Sequence, residues 1–309
     1  MTTVTVPDLR APKVPDRPPN RLAEQITGRT YLSHSQISTM RSCPRKFAFL
    51  YVEKVPADFI PSSLIFGGSI HSSLELHFRA KLEGLDTNQA ALMSAYHDAW
   101  RRQREKGGDK IPIRFNKDQN ENEVHALAER MIASFLSSPL ASPKGTILGV
   151  EEELRVQLDP ELPDLLAKVD LVTQTEGCLH VVDFKTSRSR WNEQKAEESG
   201  EQLLLYGATV AGMSRHLGAA VKLHFAIITK AKKPVVQLIP VPSSPERVDA
   251  LKESVATVWS ASRHVVRQRK SCSNSSALGC LKLKTSHPCG LTPDMTWRTA
   301  PSLPEASMP

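Results

Sequence analysis

The rhythm of apolar and polar positions changes near Pro143. Before it the spacing is helical. In LIFGGSIHSSLELHFRAKLEG the apolar residues from Ile65 to Leu82 recur every three or four positions, and NQAALMSAYHDAWRRQ and NEVHALAERMIASFL read the same way. A helix is expected to begin near Ser33, where SHSQ supplies capping side chains ahead of Ile37, Met40 and RKFAFLY, with Cys43-Pro44 interrupting it. Beyond Pro143, strand-like runs fall at about 146–158, 166–174 and 178–184. A helical stretch follows at about 197–217, then the strands LHFAIIT and VVQLIPV and a helix from about 245. This order predicts a mixed α/β core behind a helical N-terminal region.

Segments 1–29 and 261–309 lack such a pattern. The first is rich in proline and polar residues and reads as a flexible lead-in; the second is an irregular, basic, cysteine-containing tail. One domain is therefore expected over 30–260, with its helical part at 33–140 and its α/β core at 145–260. No apolar run approaches a membrane span, and the N-terminus has no hydrophobic signal region, so a cytoplasmic protein is expected.

Charge changes this picture little. The formal net charge is +7. From Ala261 onward, seven cations (Arg263, Arg267, Arg269, Lys270, Lys282, Lys284, Arg298) face only Asp294 and Glu305, a net +5, which leaves +2 for the first 260 residues. Basicity is thus weak support for nucleic-acid binding by the main body. Five cysteines, an odd number, speak against a disulfide framework and leave metal binding or burial open.

Candidate chemistry gathers around HVVDFKTS. Residues two apart on a strand share a face, so Asp183 and Lys185 project together from a strand end. Asp170 lies in the preceding apolar strand AKVDLV, where an ionised carboxylate needs a partner. A hairpin around TEGC brings both acids to one end of the sheet. In VEEEL, Glu151 and Glu153 share a face opposite Glu152. Gln202 and Tyr206 are four apart on one helix, and His71 stands near a helix start after two glycines. Asp170, Asp183 and the carbonyl of Phe184 are the oxygen donors a hard divalent cation wants, and the imidazole of His71 suits Mn²⁺ as well as Mg²⁺. With Lys185 beside such a cation, the chemistry is phosphodiester hydrolysis.

These residues, in this order, resemble the PD-(D/E)XK nuclease superfamily in its RecB-like exonuclease branch. The likeness rests on Asp170 followed by Asp183-Phe184-Lys185, on SHSQI and CPRKF, on the GxxxH ending in His71, on an acid in VEEEL, and on QxxxY at Gln202 and Tyr206. The resemblance implies a restriction-endonuclease-like mixed sheet flanked by helices, acting as a Mg²⁺- or Mn²⁺-dependent DNA exonuclease in recombination, repair or CRISPR adaptation. It makes His71, Asp170 and Asp183 metal ligands, Lys185 the catalytic lysine, and Gln202 and Tyr206 part of a helix bordering the site and the DNA strand. Glu151 is the first choice for the family's earlier acid, with Glu152 and Glu153 as alternatives. Some members hold a [4Fe–4S] cluster on one N-terminal and three C-terminal cysteines; Cys43, Cys272, Cys280 and Cys289 match that count but not the usual close spacing. The chain carries no GxxxxGK[ST] loop, so it is not expected to be a helicase itself, and the resemblance implies a helicase or CRISPR adaptation proteins as partners. A non-catalytic DNA-end-binding or assembly subunit is the alternative, against which the intact Asp170, Asp183 and Lys185 argue.

Overall fold

Three consecutive strands rich in Val, Leu and Ile set the centre of the molecule, because both of their faces are covered by helices. The computed structural model describes residues 20–106, 111–117, 119–217 and 219–274. In chain order its elements are α1 (Arg21–Thr27), β1 (Tyr31–Ser33), α2 (His34–Ser42), α3 (Pro44–Phe47), β2 (Ile60–Pro61), α4 (Ser62–Leu82), α5 (Gln89–Lys106), β3 (Ile113–Arg114) and α6 (Glu121–Leu136). There follow β4 (Thr146–Val156), β5 (Asp164–Thr175), β6 (Cys178–Ser187), α7 (Glu193–Glu198), α8 (Glu201–Leu217), β7 (Ala220–Thr229), β8 (Val236–Val241) and α9 (Pro245–Asn274).

β4, β5 and β6 form an antiparallel meander, β6 and β7 run parallel through the α7–α8 crossover, and β8 closes the far edge antiparallel to β7. β1 lies parallel to the start of β5, with Leu32 opposite Leu165. One face of this six-stranded mixed sheet packs on α1, α2, α8 and α9 through residues such as Ile37, Leu205, Val255 and Trp259. The other packs on α4, α5 and α6 through Ile70, Leu74, Tyr96 and Phe135. Among the described residues no helix is long and apolar enough to cross a membrane.

Three expectations need correction. The lead-in expected over 1–29 ends in a helix: α1 is capped by Asn20, whose side chain accepts from Ala23 N–H at 3.0 Å, and Ala23 and Ile26 are buried in the core. The helix expected from about 245 passes the boundary set at 260 and runs to Asn274, with Ser262 buried and bonded to the Val258 carbonyl. His71 is not near a helix start. α4 begins at Ser62, and Gly67 and Gly68 lie inside it, because buried Phe66, Ile70, Leu74 and Phe78, each four apart, hold the helix against α5 and the sheet across the glycines. The cap expected at Ser33 takes the form of a capping box: Gln36 N–H donates to Ser33 Oγ, and Ser33 N–H donates to Gln36 Oε1 at 2.7 Å.

Candidate active site

The β5–β6 ladder runs from Thr175–Cys178 to Leu171–Val182 and stops there. One further step would set Asp170 against Asp183. Two carboxylates cannot share that position comfortably, and the strands part instead: Phe184 N–H donates to Asp170 Oδ2 at 2.6 Å, the side chain replacing a main-chain acceptor. β1 takes up the edge of β5 that β6 has left. The parted strand ends form a notch with Asp170 (9% exposed) and Asp183 (1% exposed) at its base.

A second irregularity brings Glu151 into the notch. The β4–β5 ladder pairs Val150 with Leu171 and Glu152 with Val169, but skips Glu151 and Asp170 between them. Glu151 has φ of 55°, the left-handed region that side chains avoid. Strand alternation inverts around this point: Leu154, Ala167 and Val169 face α8, whereas Val150 and Leu171 face α4. Simple alternation therefore fails for VEEEL. The Glu151 side chain is 8% exposed, while Glu152 is half-buried and Glu153 exposed. Such strained residues cost about 1–3 kcal/mol and concentrate at functional sites.

His71 reaches the same point from α4. Its Nδ1 lies 3.5 Å from Asp170 Oδ1 and 3.8 Å from Glu151 Oε1. Ligand atoms of His71, Glu151 and Asp170 all lie within 4.8 Å of one another. Asp183 is not a fourth member of that set; its Oδ2 faces Lys185 Nζ at 2.7 Å. The approach is a charge contact off the hydrogen-bonding line, since Oδ2 is buried and accepts no hydrogen bond among the described residues. Lys185 in turn donates to Gln202 Oε1 at 2.8 Å, and Gln202 Nε2 donates to the Tyr206 hydroxyl. Because lysine can only donate, the Gln202 amide has one orientation, oxygen toward Lys185 and nitrogen toward Tyr206.

The protonation states follow from this crowding. Burial opposes charge on His71, but the carboxylates of Asp170 and Glu151 beside it, with the charge of Asp183, outweigh it and push its pKa up to about 10. For Asp183 burial dominates; with the Asp170 charge it outweighs Lys185 and raises the carboxyl to about 6. Burial would raise Glu151, but the nearby His71 and Lys168 cations outweigh it and hold the carboxyl below its usual value. The Tyr206 hydroxyl is pushed up, first by burial and then by Asp183, and stays protonated.

A group of buried acids that draws a proton onto His71 is a place that favours a cation. The donors are carboxylate oxygens with one imidazole nitrogen, a set that fits a hard divalent metal of the Mg²⁺ or Mn²⁺ kind. The Phe184 main chain borders the set through its bond to Asp170, and its ring points into the opposite core, stacked on Phe78 at 5.5 Å.

Two contributors escape a reading of the sequence. Lys168 Nζ lies 2.6 Å from Glu151 Oε2; the spacing Lys168-x-Asp170, a reversal of Asp183-x-Lys185, is its only signal. Arg41 of α2 clasps Glu201 with two hydrogen bonds, one of 2.7 Å, and also donates to Ser254 of α9 at 3.2 Å. Burial would raise Glu201, but the Arg41 bonds and the His34 ring 3.8 Å away outweigh it and hold the carboxyl down at about 2. This clasp fixes the first turn of α8, where Gln202 sits, and with 160 residues between its partners no local pattern announces it.

For the cysteines expected to hold a cluster, Cys43 caps α3, its half-buried thiol accepting from Lys46 N–H at 3.4 Å. The backbone of Cys272 lies in the last turns of α9, while Cys280 and Cys289 lie outside the described residues.

A family model described as the PD-(D/E)XK nuclease superfamily matches residues 31–277. Among solved structures, the chain is similar to a crystal structure from Eubacterium rectale named "Putative exonuclease", at 14% identity and a TM-score of 0.47, covering 85% of this chain and 91% of that one. No curated protein matches the chain.

Proposed function

Because the chain belongs to the PD-(D/E)XK nuclease superfamily, we propose that it is a divalent-metal-dependent deoxyribonuclease that hydrolyses phosphodiester bonds from DNA ends. The observation that carries this reading is the convergence of His71, Glu151 and Asp170 beside the Asp183–Lys185 pair, where β5 and β6 part. His71, Asp170 and Glu151 would hold Mg²⁺ or Mn²⁺, with Asp183 and the Phe184 carbonyl at its border. When bound, the metal supplies an acidified water and neutralises charge on the phosphate. The other roles belong to the chain. Phe184 N–H fixes one oxygen of Asp170, leaving the other toward His71. Lys168 holds Glu151 ionised. Lys185, restrained by Asp183 and Gln202, sets a positive charge where the phosphate oxygens gain negative charge in the transition state. Tyr206 supports Gln202 and so the lysine. A place in recombination, repair or CRISPR adaptation, beside a separate helicase or adaptation protein, belongs to the same proposal.

The test is degradation of end-labelled linear and closed circular DNA with Mg²⁺ or Mn²⁺. Wild type is expected to shorten linear DNA and spare circles, and Asp183→Ala and Lys185→Ala to lose at least roughly a hundredfold in rate. Equal activity of all three proteins would overturn the nuclease reading. Equal cutting of circles would overturn the requirement for an end.

A further inference from the structure

Strands β6 and β7 stop together. Ser187 pairs with Thr229, and the Lys230 N–H donates to the Ser187 carbonyl at 2.6 Å. The chain leaving β6 carries Arg188 and Arg190, and the chain leaving β7 carries Lys230, Lys232 and Lys233. Two basic loops are thus joined side by side at the end of the sheet where Asp183 and Lys185 stand.

Other bonds hold both loops in place. The Trp191 indole N–H donates to Ser187 Oγ at 2.9 Å, and the Trp191 main chain exchanges bonds of 3.1 and 3.3 Å with the Gln237 side chain. Ser134 of α6 donates to the Pro234 carbonyl at 2.9 Å. Arg188, Arg190, Lys232 and Lys233 are exposed, and among the described residues none of the five cations forms an ion pair with a carboxylate. Elsewhere Arg41, Arg79 and Arg247 each have a glutamate. Burial, and after it the charge of Arg188, holds Lys230 below its ordinary pKa, so like charges are crowded here without a counter-ion.

α4 adjoins this ridge: Lys230 Nζ lies 5.0 Å from the centre of the Phe66 ring. The next residue, Gly67, is one helical turn before His71. A Cβ on Gly67 would meet nothing within 4 Å, whereas one on Gly68 would strike Gln103. At Gly68 the Gln103 amide would have to swing aside, whereas at Gly67 no neighbour stands in the way, although glycine inside a helix lowers its stability. A half-buried backbone position with no side chain and open space beside it, one turn from His71, suits close approach of a ligand.

We propose that the Arg188–Arg190–Lys230–Lys232–Lys233 ridge, with Gly67 of α4 beside it, leads the phosphate backbone of a DNA strand to the acid cluster. The proposal rests on the nuclease reading for what happens to that strand, and on charge and geometry for the contact itself. The near-neutral sum over the first 260 residues conceals the ridge, because acids elsewhere on the body cancel it.

Binding of a fluorescent oligodeoxynucleotide, measured with Ca²⁺ in place of Mg²⁺ across a salt series, tests it. The double variants Arg188→Gln/Arg190→Gln and Lys232→Gln/Lys233→Gln are each expected to bind roughly tenfold more weakly at moderate salt. The slope of log K against log salt should become shallower by about 1.5 for two lost phosphate contacts. Lys144→Gln/Lys222→Gln removes the same charge from exposed positions at the other end of the sheet and is expected to leave both readings near wild type. Gly67→Ala is expected to keep or raise the thermal midpoint while weakening binding. Ridge variants that bind with wild-type affinity and slope, or a Lys144/Lys222 control that loses as much as they do, would overturn the proposal. Wild type that binds with the expected slope and never cuts with Mg²⁺ or Mn²⁺ would uphold the ridge and remove the nuclease reading.

Discussion

Asp183 has a cost that the fold bears for its chemistry. Its folded pKa of about 6 lies above the ordinary carboxylate value, so between those values the folded state holds more protons than the unfolded one. For this group, stability of the metal-free protein is greatest at low pH and falls as pH rises through 6. His71 adds a change of the same sign at higher pH: its stabilisation is full below about 6.5 and is lost as pH climbs through 10. Asp183→Asn is therefore expected to raise the thermal midpoint in EDTA at pH 8 and to raise it little at pH 5, while abolishing DNA cleavage. Melting curves of both proteins at the two pH values check this; a variant less stable at pH 8 would show that Asp183 contributes structure rather than strain. At this scale the sequence was partly informative. Asp170, Asp183 and Lys185 announce themselves because an acid in an apolar strand is costly without a partner. Glu151 was the first choice among three consecutive glutamates by resemblance alone, with Glu152 and Glu153 left open, since the choice depends on a positive φ that alternation does not foresee.

Among the elements, the strands of the meander were legible because burial on both faces demands apolar runs, and the runs near 166–174 and 178–184 match β5 and β6 to within a few residues. β1 was not, since three residues have no period and its partner lies more than 130 positions away. The period of α4 was legible from Ile65 onward, but His71 was placed near its start, whereas apolar contacts on either side of the glycines carry the helix through them from Ser62. The turn into β4 is more constrained than its sequence suggests. Gly145 has φ of 87°, and a Cβ there would lie 2.1 Å from the Gln174 carbonyl oxygen. Gly145→Ala is expected to cost more than about 2 kcal/mol, from the left-handed backbone and the clash together, with a lower urea midpoint as the readout. An unchanged midpoint would mean that the strand shifts to make room.

For the whole molecule, the proposed metal binding would be linked to stability. A cation bound only by the folded state stabilises it by about 2.7 kcal/mol at a hundredfold excess over its Kd. Mg²⁺ or Mn²⁺ is thus expected to raise the thermal midpoint at pH 8, and Asp170→Asn to remove most of that rise. Titration of the melting temperature with metal would reveal it, and equal rises in both proteins would place the cation elsewhere. The mixed α/β architecture was legible from the order of elements, whereas the clasp of Arg41 on Glu201 and the union of α1, α2, α8 and α9 under the sheet were not, because they join the two ends of the domain. That joining has a consequence in time. During synthesis β1 leaves the ribosome well before Asp164–Leu166, its partners on β5; at roughly 5–20 residues per second the delay is about 7–27 s. Meanwhile Ala23, Ile26, Ile37 and Met40 have no sheet to cover them. The apolar side of α1 and α2 thus stays uncovered until β5 arrives, and the notch that holds the acid cluster is finished only when β1 meets that later strand.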